Sequence, residues 1–175
     1  KPDSAVAYLI MGDVYKAMDK EEKMVEAYEQ AGDVEELYFD PLNRLVDHFR
    51  EKKDYDRALL YMERLDTQSP LNMERKVNIG GLYLDLGDTR EARDVFEDAI
   101  ATTAKEELSD PADITIKVGD EYKNRNMEEA AEFYRRGLDA KGAKLTKDDV
   151  ATFNNLGLSL RKQGNWRQAL DEYKK

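Results

Sequence analysis

The sequence predicts an all-α fold built from repeated helix pairs, and three observations predict it. Of 175 residues, 41% are hydrophobic and 38% charged, with only 4 prolines; that balance suits amphipathic helices with a wet outer face. No sustained alternation of apolar and polar residues, the mark of a half-buried strand, runs along the chain. Most telling, the sequence repeats itself. MGDVYKAMDKEEKMVEAYEQA (Met11 to Ala31) lies on IGGLYLDLGDTREARDVFEDA (Ile79 to Ala99), matching Gly12 with Gly80, Tyr15 with Tyr83, Met24 with Ala92, Tyr28 with Phe96 and Ala31 with Ala99. Each pair is 68 residues apart, twice 34, so a middle copy is expected. LVDHFREKKDYDRALLYMERL (Leu45 to Leu65) supplies it, with Phe49 at the Tyr15 place and Ala58 at the Met24 place.

Two later copies follow with small slips. Val118 to Leu138 repeats the pattern through Gly119, Tyr122, Ala130 and Tyr134; its turn is one residue shorter, and an insertion, Glu107 to Pro111, precedes it. The last copy uses Gly157, Leu160, Ala169 and Tyr173, and the sequence stops within its second helix. The pattern resembles the tetratricopeptide repeat, a helix–turn–helix unit of 34 residues. That resemblance implies an all-α, right-handed superhelical solenoid of about five repeats, the last one truncated. It reads as a single domain over 1–175, with repeats at about 5–38, 39–72, 73–106, 112–149 and 150–175. In this family small residues at the eighth and twentieth places let two helices approach, and an aromatic fills the space beside them. Met24 and Val46 depart from that rule, so slightly wider crossings are expected there. Pro70 matches the family's helix-ending proline. Gly32, Gly87 and Gly164 stand where helix ends call for a left-handed residue. Asp88 with Glu91 and Thr146 with Asp149 have helix-start spacing, and Asp139 to Asp149 reads as the longest connector.

Several functions are disfavoured. A formal charge of −10 is the wrong sign for nucleic acid or for an anionic membrane. Cysteine is absent, which fits a reducing compartment and a cytoplasmic setting, and no apolar run is long enough to span a bilayer. The glycine-rich GGLYLDLG (Gly80 to Gly87) lacks the Gly-Lys-Ser/Thr of a phosphate loop, and no strand precedes it. His48, the single histidine, has no cysteine or second histidine with which to hold zinc, and reads as a surface or structural residue. The many carboxylates interleave with Lys and Arg at helical spacing, as on a solvated face, and no serine has a neighbouring base. We therefore expect no enzyme, no cofactor and no metal.

Binding remains. In this family the concave wall is built from the first helix of each repeat, at its second, fifth, sixth, ninth, twelfth and thirteenth places. Carried onto this chain, the groove candidates begin with Asp13 in the first copy. Asn43, Arg44, Asp47 and Arg50 follow in the second, and Asn78 in the third. Lys117 and Asp120 come from the fourth, then Asn154 and Asn155 from the fifth. Gly81, at the place held elsewhere by Asp13, Asp47 and Asp120, reads as a bare spot on that wall. The residues that clamp acidic chaperone tails are missing, since Leu9, Asp13 and Glu74 occupy their places. A mixed-charge protein or peptide partner fits better. Ser69 to Asp88 and Phe153 to Lys175 also resemble the repeat region that follows the receiver domain of some bacterial response regulators. That implies an output or docking arm in two-component signalling. A structural scaffold that assembles or self-associates is the alternative reading.

Overall fold

Ten α-helices run through residues 4–35 and 37–174, the parts of the chain that the computed structural model describes. They pair in chain order: α1 (Ala5–Ala17) with α2 (Glu21–Val34), α3 (Asp40–Glu51) with α4 (Tyr55–Gln68), and α5 (Met73–Leu86) with α6 (Thr89–Lys105). Next come α7 (Pro111–Tyr122) with α8 (Met127–Lys141) and α9 (Val150–Lys162) with α10 (Trp166–Glu172). No strand occurs among the described residues. The chain divides into two compact units, Lys1–Asn72 holding α1 to α4 and Met73–Lys175 holding α5 to α10.

The helices start and stop for local reasons. Asp54, Asp110 and Asn126 cap α4, α7 and α8 by accepting from backbone N–H groups that would otherwise lack partners. Pro41 and Pro111 sit in the first turns of α3 and α7, where a missing N–H costs nothing. Four of the five paired helices share one turn. Asp19, Lys53, Gly87 and Gly164 occupy the same repeat place with φ of 54°, 59°, 88° and 82°. The next N–H in each reaches back five residues to the carbonyls of Tyr15, Phe49, Tyr83 and Leu160. Glycine adopts this left-handed backbone freely, whereas Asp19 and Lys53 adopt it against a steric cost. The fourth pair, with its shorter turn, lacks this step. Gly32 is a correction: it lies buried inside α2, not at a left-handed helix end, with Leu42 beside it.

Between α8 and α9 the connector winds through two short 3-10 turns, Gly142–Lys144 and Lys147–Asp149. Thr146 and Asp149 form the capping box that their spacing suggests. Asp149 is buried and also accepts from Lys141, which bonds Asp113 as well, so α7, α8 and the connector share one cation.

The pairs close on glycine. A Cβ on Gly12 would stand 2.3 Å from the Tyr28 ring, and one on Gly80 the same distance from Phe96. On Gly119 it would meet Tyr134 at 2.7 Å, and on Gly157 it would meet Tyr173 at 2.5 Å. No real Cβ fits at those distances, so the first helix must offer bare backbone to the ring. The second pair solves the crossing differently. Val46 takes the glycine place and Met62, slimmer and more flexible, takes the aromatic place; both are buried. Met24 is also buried, in the same pair as Gly12.

Replacing Gly80 with Leu is expected to lower stability by about 1–3 kcal/mol through overpacking against Phe96. Gly32→Ala should raise it by about 0.5–1 kcal/mol, because that helical position has room for a methyl group. Urea denaturation of the two variants checks both signs.

Candidate functional site

Within each unit, charged side chains tie first helices to first and second to second: α1 to α3 and α2 to α4 in one, α5 to α7 and α6 to α8 in the other. Asp13 of α1 pairs with Arg44 of α3 at 2.7 Å. In the other unit, α5 is tied to α7 by Glu74 with Lys117 and to the turn after α7 by Asp85 with Arg125, the latter at 2.8 Å. Among second helices, Arg64 of α4 bonds Asp33 of α2, and the Tyr61 hydroxyl donates to Glu29 at 2.8 Å. Arg93 of α6 reaches Glu129 and Glu132 of α8, and Arg136 of α8 forms a two-pronged bond with Glu97 of α6. These exposed pairs contribute modestly one by one, but they fix which helix faces which.

The sequence-derived groove residues divide by what they touch. Asp13 accepts from the Tyr28 hydroxyl at 2.6 Å as well as from Arg44. Asp120 accepts from the Tyr134 hydroxyl at 2.6 Å, and Asn155 bonds the same hydroxyl. Both tyrosines are the rings that press on the crossing glycines, so these aspartates complete the helix crossing from the first-helix side. Burial, with Asp13 beside it, pushes the Tyr28 phenol up to about 12, and burial with Asp120 raises that of Tyr134 further. The third pair has no such need: Phe96 carries no hydroxyl, and Gly81 stands at the aspartate place. In the second pair the ring is replaced by Met62, so Asp47 is left exposed with no side-chain partner among the described residues. Asn43, Arg50, Asn78 and Asn154 are likewise without a side-chain partner there, while Arg44 and Lys117 are held by Asp13 and Glu74.

Gly81 is not the bare spot that the sequence suggests. It is buried, and the Glu121 carboxylate of α7 lies over it, 2.4 Å from where a Cβ would stand. Arg125 holds Glu121 at 3.0 Å and Asp85 at 2.8 Å, so three charged residues cover that part of the wall. Sequence reasoning passed over Glu121 and Arg125. The available signal was a charge at a place where the third copy carries the buried Leu82.

Nearby, Arg90, Arg93 and Arg125 line an open cleft of about 500 Å³ with Tyr122 and Glu129. Arg93 and Arg125 are neutralised by the carboxylates already named. His48 is half-buried, with Nε2 3.2 Å from Glu21, which also binds Lys52 and Arg57. Burial, then the charge of Lys16, holds its imidazole below the ordinary value, so the ring is a neutral neighbour of the ion cluster formed by Glu21, Lys52 and Arg57. No group of three His, Asp or Glu side chains among the described residues is arranged to hold a metal ion, and no described helix is long and apolar enough to cross a membrane.

Profiles of the tetratricopeptide repeat match residues 5–33, 77–143 and 150–175. The chain belongs to the tetratricopeptide repeat family. Solved structures agree on the fold. A crystal structure of MamA protein aligns with a TM-score of 0.59 at 17% identity, covering 97% of this chain and 88% of that one. MamA residues 41 to end from Desulfovibrio magneticus RS-1 align with 0.61 at 16%, covering 99% and 93%. The apo form of RapI aligns with 0.61 at 14%, covering 97% and 68%. The glycine crossings are thus tetratricopeptide crossings, in a family of protein-interaction scaffolds.

Two outcomes are expected. Asp120→Ala should cost about 1 kcal/mol by removing the acceptor of the Tyr134 hydroxyl, which keeps only Asn155, while Asp47→Ala should stay within about 0.5 kcal/mol, as read by urea denaturation. Raised phenol pKa values mean that the folded chain holds protons which the unfolded chain releases near pH 10. Stability should therefore be intact below pH 10 and fall as pH rises through about 12, the value for Tyr28 and Tyr122. Spectrophotometric tyrosine titration with circular dichroism should show these phenols ionising together with unfolding.

Proposed function

We propose that this tetratricopeptide scaffold works without catalysis, by holding a partner peptide or helix against its first-helix wall. The observation that carries this reading is the division of labour along α3. Arg44 is committed to Asp13, whereas Asn43, Asp47 and Arg50, one turn apart on the same helix, have no internal side-chain partner among the described residues. An amide, a carboxylate and a guanidinium so spaced can bond a partner's backbone and pair with charges of both signs. Asn78 and Asn154 extend the same supply of uncommitted amides in the second unit. Asp13 and Asp120 enter as supports that shape the wall, and Asn155, Arg44 and Lys117 as residues whose partners a ligand would have to displace.

The setting we infer is cytoplasmic, with this chain as the docking arm of a bacterial two-component regulator. Its support is the likeness of Ser69 to Asp88 and of Phe153 to Lys175 to such regions. The encoding gene tests that part directly: a phospho-acceptor receiver domain ahead of Lys1 supports it, and a different neighbour there removes it.

The groove reading is tested with peptides selected from a random library on the intact chain. Asp47→Arg combined with Asn43→Ala should weaken the selected peptides at least about 10-fold in calorimetry, with an unchanged circular dichroism spectrum. Selected peptides that bind the double variant as tightly as the original chain would place the site elsewhere.

A further inference from the structure

Between the third and fourth helix pairs, the open cleft of about 500 Å³ holds a polar group that neither the packing nor the groove uses. Tyr122 lines the cleft and is 3% exposed, yet its hydroxyl makes no hydrogen bond among the described residues. By contrast, the hydroxyls of Tyr28, Tyr61 and Tyr134, set as deeply, donate to Asp13, Glu29 and Asp120. The repeat supplies a control. Phe49 takes the Tyr122 place in α3 and stacks on Tyr61, with ring centres 5.7 Å apart and planes 8° apart. Tyr122 stacks on Phe133 at 5.5 Å and 9°. The same stack forms without the oxygen, so packing does not call for it. A buried hydroxyl lacking an acceptor is destabilising, and here the acceptor has to come from what enters the cleft.

Further donors surround that hydroxyl. Arg90, on the cleft wall, is exposed and has no side-chain partner among the described residues. It lies in the first turn of α6, where Asp88 makes no side-chain cap, so the leading N–H groups keep their capacity for an anion. Arg93 gives its two terminal nitrogens to Glu129 and Glu132, and its Nε–H is left over. Arg125 is engaged by Asp85 and Glu121. Of the two carboxylates that line the cleft, Glu129 is thus held by Arg93, and Asp94 is exposed. One free guanidinium beside one exposed acid admits a single negative charge and opposes a dianion. Leu84 adds apolar wall. Burial pushes the Tyr122 phenol up to about 12, so it remains a protonated donor at neutral pH.

We propose that this cleft binds a small organic acid. Its carboxylate takes hydrogen bonds from the Tyr122 hydroxyl, the Arg90 guanidinium and the first turn of α6, and its apolar body lies against Leu84. The volume suits a small molecule rather than a bare ion. The site uses none of the residues assigned to the groove and survives the failure of that reading.

Benzoate is the probe, and benzamide, of the same shape without the charge, is its control. Titrated into the isotope-labelled chain, benzoate should shift the amide signals of Thr89, Arg90 and Glu91 with a dissociation constant on the order of 1 mM. Benzamide should bind at least about 5-fold more weakly. Tyr122→Phe, for which Phe49 is the precedent, should lose at least about 5-fold in benzoate affinity while its urea midpoint holds or rises. Arg90→Gln, a change at an exposed residue, should lose as much affinity and leave the midpoint in place. Amide signals that stay put at about 50 mM benzoate would overturn the proposal and leave the hydroxyl to water. Benzamide binding as tightly as benzoate would also overturn it, as the mark of an apolar cleft without an anion site. So would unchanged affinity in either variant, or phenyl phosphate binding more tightly than benzoate, the sign of a dianion site.

Discussion

Every feature of this chain rests on the close crossing of paired helices, where backbone from one helix meets an aromatic face from the next. Four of the five crossings are Gly12 on Tyr28, Gly80 on Phe96, Gly119 on Tyr134 and Gly157 on Tyr173. The contact is intolerant because a ring fills the whole space that a Cβ would need, and cores built at crystal density have nowhere to move it. It is also the origin of the polar wall. A tyrosine driven across a glycine emerges with its hydroxyl on the far side, next to the residue that follows the glycine. Asp13 and Asp120 stand there and accept the hydroxyl's hydrogen. Packing and wall chemistry are therefore one problem solved together.

The second constraint is that neighbouring pairs are held in line by charges of opposite sign on equivalent helices. First helices use Asp13 with Arg44 and Glu74 with Lys117; second helices use Asp33 with Arg64 and Glu97 with Arg136. Placed on exposed helix faces, these pairs add little energy singly, yet a like-charged substitution at any of them would oppose the stacking. They also explain why so many charged residues coexist with ordered packing.

The repeat made most of the fold legible. A spacing of 34 residues, small residues at one place and rings at another were sufficient to give the helix pairs, since those requirements are local and recur. What the sequence concealed depended on a neighbour in space. Gly81 looks bare until Glu121 of the following first helix folds over it. Gly32 looks like a helix stop because glycine is common there, but α2 continues through it to Val34. The groove candidates come from place in the repeat alone, which gives Asp13, Asp47 and Asp120 equal standing. Only the ring opposite each one separates them, and that ring lies 14 or 15 residues away in the two bonded pairs.

The coupling between ring and acid means that the core regulates how much charge the wall can offer. Where the ring is Tyr28 or Tyr134, the carboxylate after the glycine is occupied; where it is Met62, Asp47 has no side-chain partner among the described residues; where it is Phe96, that residue is glycine, and beside Tyr173 it is Leu158. Removal of the phenolic oxygen of Tyr134 would thus release Asp120 without any change to a surface residue, whereas Asp13 would keep Arg44. In a repeat array of this kind, the charge shown by the first helices is set from inside, through buried positions.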